Sequence, residues 1–336
     1  MASAATMKAR GPAILLALAF LCLASLLIHI AVGSFLWESP LAVLSELMRG
    51  QVGDTGFNNI VWQIRLPRGL GSALVGGILG AVGSAFQALF RNPLAEPYVV
   101  GVSSGAAAGG TAALVFGFAG ALGGFGMLAA SFAGGGLALV LVFAIAGRRG
   151  VINIQTLLLA GVVVGTLLSA LMSFMLLVTG EDTNTVLRWL LGSTSELRWQ
   201  DLGILLGSFA IGSGILVLQS KSLNAFAIGE TTAQRLGINV ERLKLVILGT
   251  GALMTAAAVG TCGIIGFLGL VAPHISRRIL GVDWRWSLAG SALIGASLLL
   301  LSDVVAQRVL PGSEMPVGII TAVVGAPFLL FLMRKA

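Results

Sequence analysis

Few side chains in this sequence could do chemistry alone. Two histidines, His29 and His274, and two cysteines, Cys22 and Cys262, are its whole stock of imidazole and thiol groups, and they stand far apart in 336 residues. No H-x-x-x-H, E-x-x-H or C-x-x-C pair gives the spacing that holds a bare metal ion or a redox dithiol. Each histidine reads as a hydrogen-bonded helix residue, and no histidine lies near a serine that it could activate. No G-x-x-x-x-G-K-[ST] loop cradles a phosphate, so any energy taken from ATP is bound by another polypeptide. No catalytic residue and no metal ligand is assigned.

The residues with a recognisable task are arginines, prolines and polar turns set between apolar runs. In WQIRLPRGL, Trp62 to Leu70, Pro67 can open a helix and hold Arg65 and Arg68 near a membrane surface. Guanidinium groups pair with carboxylates two bonds at a time, so both suit either a partner protein or headgroup anchoring. In FRNPLAEPYVVGVSSG, Phe90 to Gly105, prolines at 93 and 97 force a sharp non-helical turn between two spans. Irregular backbone of that kind is tolerated where it borders protein or a water-filled path. The small residues that follow, Gly101, Ser103, Ser104 and Gly105, suit either close helix packing or a smooth wall for a bulky solute. From Ser220 to Lys244 the chain is polar, with Gly229 and Gly237 bracketing two short helices that could form a docking surface.

The elements that position these residues are membrane spans. The chain is 57% hydrophobic and 10% charged, with 47 glycines, where a soluble domain carries about 25% charge. Stretches without Asp, Glu, Lys or Arg run Gly11 to Trp37, Gly69 to Phe90, Pro97 to Gly147, Gly150 to Gly180, Leu202 to Ser220, Leu245 to Ser276, Trp286 to Ser302 and Met315 to Met333. Most fit one crossing of roughly 20 residues. The Pro97 to Gly147 stretch is about twice that length and divides at the glycines from Gly117 to Gly126. The Leu245 to Ser276 stretch, broken by glycines and Pro273, either crosses twice or crosses once and returns as a short helix. Glycine pairs four apart, such as Gly76 with Gly80 and Gly120 with Gly124, suit close packing of helices.

Ten segments with both ends cytoplasmic place 14 of the 20 basic residues inside: Lys8, Arg10, Arg91, Arg148, Arg149, Lys221, Arg235, Arg242, Lys244, Arg277, Arg278, Arg285, Arg334 and Lys335. That count obeys the positive-inside rule, and it makes the net charge of +7 a topological signature with no need of a nucleic-acid partner. No ionisable residue falls mid-span, which weighs against a stand-alone ion-coupled carrier. A stand-alone carrier or channel nevertheless remains the alternative of a different class.

In order along the chain, RLPR, NPLAEP, TLLLAG at Thr156 to Gly161, WLLGS at Trp189 to Ser193, the polar loop, GFLGLVAPH, E-M-P-V-G and G-A-P-F resemble the iron-chelate and cobalamin permease family of bacterial ABC importers. The resemblance implies an all-α subunit of about ten helices, a single permease domain over residues 1 to 336, with residues 220 to 244 as its cytoplasmic coupling loop. It implies a homodimer in the bacterial inner membrane, two ABC ATPase subunits that bind ATP, and an extracytoplasmic substrate-binding protein. By motif position Arg65 and Arg68 would meet acidic residues of that binding protein. The family's third arginine, four residues after the position of Asp303, is here Gln307, with Arg308 beside it. Asn92, Pro93 and Leu94 would form a cytoplasmic gate, and Ile154 and Gln155 a second one, where cobalamin permeases carry small hydroxylated residues. Gly101, Ser103, Ser104 and Gly105 would line the pathway; Gly229, Glu230, Arg235, Leu236 and Gly237 would couple to the ATPase. The expected cargo is a ferric siderophore, with cobalamin or haem as alternatives.

Overall fold

The computed structural model describes residues 4–33, 38–51, 56–148, 151–179, 183–310 and 312–334. Trp37, Arg149, Gly150, Gly180 and Lys335, named above as stretch ends or basic residues, lie outside them. Apart from turns and loops, the described chain is helical, with one two-residue antiparallel pair, Gly147–Arg148 with Val151–Ile152.

Among the described residues, seven helices are long and apolar enough to cross a membrane. They are α1 (Ala4–Ala31, apolar from Gly11), α4 (Leu66–Phe90), α6 (Gly126–Ala146), α7 (Ile154–Val178), α9 (Trp199–Leu218), α12 (Val240–Cys262) and α14 (Trp284–Ala306). Two shorter apolar helices, α5 (Val102–Val115) and α15 (Val317–Met333), and the 13-residue α13 (Leu268–Leu280) complete a set of ten. Five small helices decorate the ends: α2 (Pro40–Arg49), α3 (Gly56–Ile60), α8 (Thr183–Leu190), α10 (Ser220–Ile228) and α11 (Glu230–Arg235).

The long stretch from Leu245 resolves into α12 and α13, separated by a non-helical break at residues 263–267. At 1.5 Å per residue α13 is about 20 Å long, short of the ~30 Å hydrocarbon core, so it is a broken return and not a second full span. Both ends of the break are left-handed, at Gly263 (φ 69°) and at Phe267 (φ 67°), and the second is costly for a residue with a side chain.

The centre of the bundle is the crossing of α4 and α14. A Cβ at Gly76 or Gly80 would collide with the backbone of Gly295 or Ser291, so this spacing brings two backbones into direct contact, where dispersion stabilises what lipid exclusion cannot. By contrast, Gly120 and Gly124 lie in the turn between α5 and α6, with nothing packed on the first, so their spacing has no packing role. Around the centre Leu205 of α9, Ile247 of α12 and Leu268 of α13 join Phe86 of α4 and Leu299 of α14 in a buried apolar core. The outward faces of α6, α7 and α15 keep large apolar side chains exposed, among them Leu137, Leu167 and Val323.

Candidate functional site

Two clusters of polar side chains occupy opposite ends of α4. At its start, Arg68 donates from Nε (2.8 Å) and Nη2 (2.9 Å) to the two carboxylate oxygens of Asp303, near the end of α14. Its Nη1 reaches Glu314 in the loop between α14 and α15, at 3.0 and 2.9 Å. His29 of α1 brings Nε2 to 2.6 Å from Asp303 Oδ2, and because an ionised carboxylate only accepts, that nitrogen carries the proton. Gln307 adds a fourth donor at 3.2 Å, one helical turn beyond Asp303. Asp303 is 1% exposed, so these bonds replace its water entirely.

Arg65 also turns inward. Its Nη1 donates to the carbonyls of Ile30 and Ala31, which end α1, and its guanidinium lies over the Phe57 ring at 5.9 Å. A Cβ at position 33 would strike that guanidinium, which is why glycine stands there. Arg65 and Arg68 are 8% and 7% exposed. Expected as a docking pair, they bond within the chain to carbonyls of α1 and a carboxylate of α14. Arg308, next to Gln307, is exposed, as are Arg49, Arg188 and Arg198 among the described residues assigned to this side.

At the other end of α4 the chain turns at Arg91 (φ 48°), and Asn92 Oδ1 accepts from Leu94 N at 2.9 Å, a tight Asx turn that leaves Pro93 and Leu94 exposed. Gln155 is exposed and Ile154 half-buried at the first turn of α7, which Asn153 caps through Thr156 N. The following small residues pack and do not line an open wall: Gly105 meets Gly134 and Ala138 of α6, Gly101 meets Gly161 of α7, and Ser104 sits against Gly165. Ser103, although it centres a G-x-S-x-G string, is 1% exposed, with no hydrogen-bond partner for its hydroxyl. Within the single chain Gly101, Ser103 and Gly105 are thus buried in helix packing, and Ser104 is half-buried.

An open wall does exist nearby, at residues the sequence did not single out. Glu96, Tyr98, Ile264, Phe267, Ile319 and Val323 border a cavity of about 440 Å³. The Glu96 carboxylate accepts the Phe267 N–H, while burial pushes that carboxyl up to about 7. Tyr98 Oη, on the same wall, has no hydrogen-bond partner among the described residues. The signals for this wall were Phe267 in a broken helix and a lone acid between prolines.

The polar loop folds into α10 and α11, joined at Gly229 and closed by Gly237 (φ 80°), whose Ile238 N returns to Ala233 O. Leu223, Phe226 and Ala233 anchor the pair in the core, whereas Ile228, Arg235 and Leu236 are exposed. Glu230, expected to face a partner, instead takes a 2.8 Å bond from Lys244 Nζ, which also holds Glu241 at 2.9 Å and Ile152 O at 2.7 Å.

The profile of the FecCD transport family matches residues 21–335. The chain belongs to the FecCD transport family. This FecCD permease is 38% identical over 323 residues to the vitamin B12 import system permease of Escherichia coli O139:H28, covering 96% of this chain and 95% of the relative. It is 42% identical over 275 residues to the cobalamin import system permease of Halobacterium salinarum, at 82% and 73% coverage. Against the Fe(3+)-citrate import system permease of Bacillus subtilis it is 35% identical over 330 residues, 98% and 97% of the two chains. A solved metal-chelate-type ABC transporter, in an inward-facing conformation, superposes with a TM-score of 0.85 at 31% identity, over 97% of this chain and 100% of that one. The FecCD permease is thus the membrane-spanning subunit of an ABC importer, a transporter component and not an enzyme.

Proposed function

We propose that this permease carries an already chelated metal complex across the bacterial inner membrane as a homodimer, with the pathway on its two-fold axis. An extracytoplasmic binding protein delivers the cargo, and two cytoplasmic ABC ATPase subunits hold the ATP. The observation that carries this reading is the α10–α11 pair: firmly seated through Leu223 and Phe226, it holds Ile228, Arg235 and Leu236 outward at the end that the basic-residue count assigns to the cytoplasm. Gly229 and Gly237 set the two chain reversals that present this surface. Asn92, Pro93 and Leu94, with Ile154 and Gln155, stand at the same end as the gate, and the wall of Glu96 and Tyr98 lies just above it. At the opposite end the exposed Arg308 would meet acidic groups of a binding protein.

The cargo reading is a ferric siderophore. A second, a corrinoid, is favoured by the higher identity to the two cobalamin permeases, 38% and 42% against 35% for the ferric citrate permease. Competitive uptake of labelled ferric siderophore, cobalamin and haem in source cells with and without the gene separates them. Selective loss of ferric siderophore uptake supports the first reading, loss of cobalamin uptake replaces it with the second, and loss of neither contradicts both.

A further inference from the structure

A large cavity bordered by described residues lies on the side of the bundle where α9 crosses α4 and α14, with α1 at its edge. It holds about 760 Å³, and its walls are almost wholly apolar. On α9 the lining residues recur at helical spacing from Trp199 through Leu206 and Phe209 to Val217, which is about 27 Å along the helix and close to the ~30 Å thickness of a bilayer core. The floor is made of small side chains on α4 and α14, including Ala73, Gly77 and Ala289, so the groove is deep as well as long. Apart from the Ser213 hydroxyl, water finds little to bond to there, and no described segment fills it. In a membrane, a flexible hydrocarbon chain is the solute at hand that matches this length and polarity.

One mouth of the groove is basic. Arg285 precedes the lining residues Leu288 and Ala289 by three and four positions, which puts it on the same face of α14. Lys221 follows the lining residue Val217 by four positions, just past the end of α9. Both side chains are exposed, and among the described residues neither appears in a salt bridge. The acid beside them, Asp283, is engaged in capping α14 through Arg285 N and in a bond from Asn224 Nδ2. The opposite mouth, at Leu70 and Trp199, presents no such pair.

We infer that this groove is a binding site for one anionic phospholipid, its acyl chain between α1 and α9 over the α4–α14 crossing and its phosphate held by Lys221 and Arg285. Basic pockets between spans recognise acidic headgroups in this way, each cation near the surface adding to the apolar contact. The site is separate from the transport path. It requires only that the chain sits in a membrane, so it stands whichever cargo is carried.

The test is native mass spectrometry of the purified permease released from nanodiscs made with equal amounts of phosphatidylglycerol and phosphatidylcholine. The wild type is expected to retain phosphatidylglycerol at least fivefold over phosphatidylcholine. Lys221→Glu with Arg285→Glu is expected to abolish that preference, Lys221→Arg with Arg285→Lys to keep it, and Ala289→Phe to lower retention of both lipids by obstructing the groove. Cys22, on the groove wall and partly exposed, gives a second readout, since Cys262 is buried. An apolar maleimide should label Cys22 more slowly as the phosphatidylglycerol fraction rises. Equal retention of the two lipids, or an unchanged preference in the double glutamate variant, overturns the inference. So does Cys22 protection that tracks dimer formation and ignores lipid composition, because a second copy would then cover the groove.

Discussion

The two ends of α4 handle charge in opposite ways. At its start four side chains from three helices and a loop, Arg68, His29, Gln307 and Glu314, converge around Asp303, and the central carboxylate is 1% exposed. At the α10–α11 end Lys244 is equally deep, at 2%, but its partners Glu230 and Glu241 keep 31% and 28% of their side chains in contact with solvent. Leu236 beside them is 66% exposed and Ile228 76%. The first arrangement closes over its central carboxylate, with Glu314 at its 29% exposed edge. The second is open, a seated platform whose outer surface lacks a partner. At these two ends Arg308 and Leu236 are exposed, whereas Arg65 and Arg68 are buried.

The comparison breaks most readily at Asp303. Asp303→Ala removes the acceptor and strands Arg68 and His29 in a dry site, so it should destabilise by about 3–5 kcal/mol, read as thermal unfolding in detergent. Replacing Asp303 by Leu together with Arg68 by Met should recover much of that loss, since no buried charge is then unpaired. A single variant as stable as the wild type would mean that the closed end is not closed. Lys244→Ala should cost less, about 2 kcal/mol in the same assay, because water can replace its donor at both half-exposed carboxylates and only the Ile152 carbonyl is left poorly served.

Surface changes sharpen the contrast. Ile228→Asp with Leu236→Asp should leave stability within about 0.5 kcal/mol yet reduce co-purification of the ATPase at least tenfold. If the ATPase still co-purifies, the platform is not its seat. Smallest of all, Arg308→Glu, at an exposed position, should weaken binding-protein affinity a few-fold. That effect should shrink as salt rises from 50 to 500 mM, on the order expected for an exposed charge.

Much of the fold could be read from hydropathy and charge, because span length and loop sign are properties of single segments. The hairpin at Gly117 to Gly126, the broken return after α12 and the two short helices around Gly229 each follow from local glycine and proline placement. The site was less legible, since what a side chain touches depends on distant segments. Arg68 and Asp303 are 235 positions apart, and nothing near either one announces the other. The string from Gly101 to Gly105 fits a pathway wall as well as a packing seam until α6 and α7 are placed against it. Glu96 looked like an ordinary loop acid, and only the fold of the α12–α13 break brings the Phe267 N–H to it. Gln307 shows the converse: the departure from the family pattern was visible, and its donor role toward Asp303 accounts for it.

The central claim is that this chain moves its cargo only as the membrane subunit of an ATP-driven importer. The direct measurement is uptake of labelled cargo into liposomes containing the purified chain, with and without its ATPase, binding protein and ATP. Transport only in the complete system is the predicted result. Transport by the chain alone, insensitive to ATP, would contradict the account and make the protein a stand-alone carrier or channel.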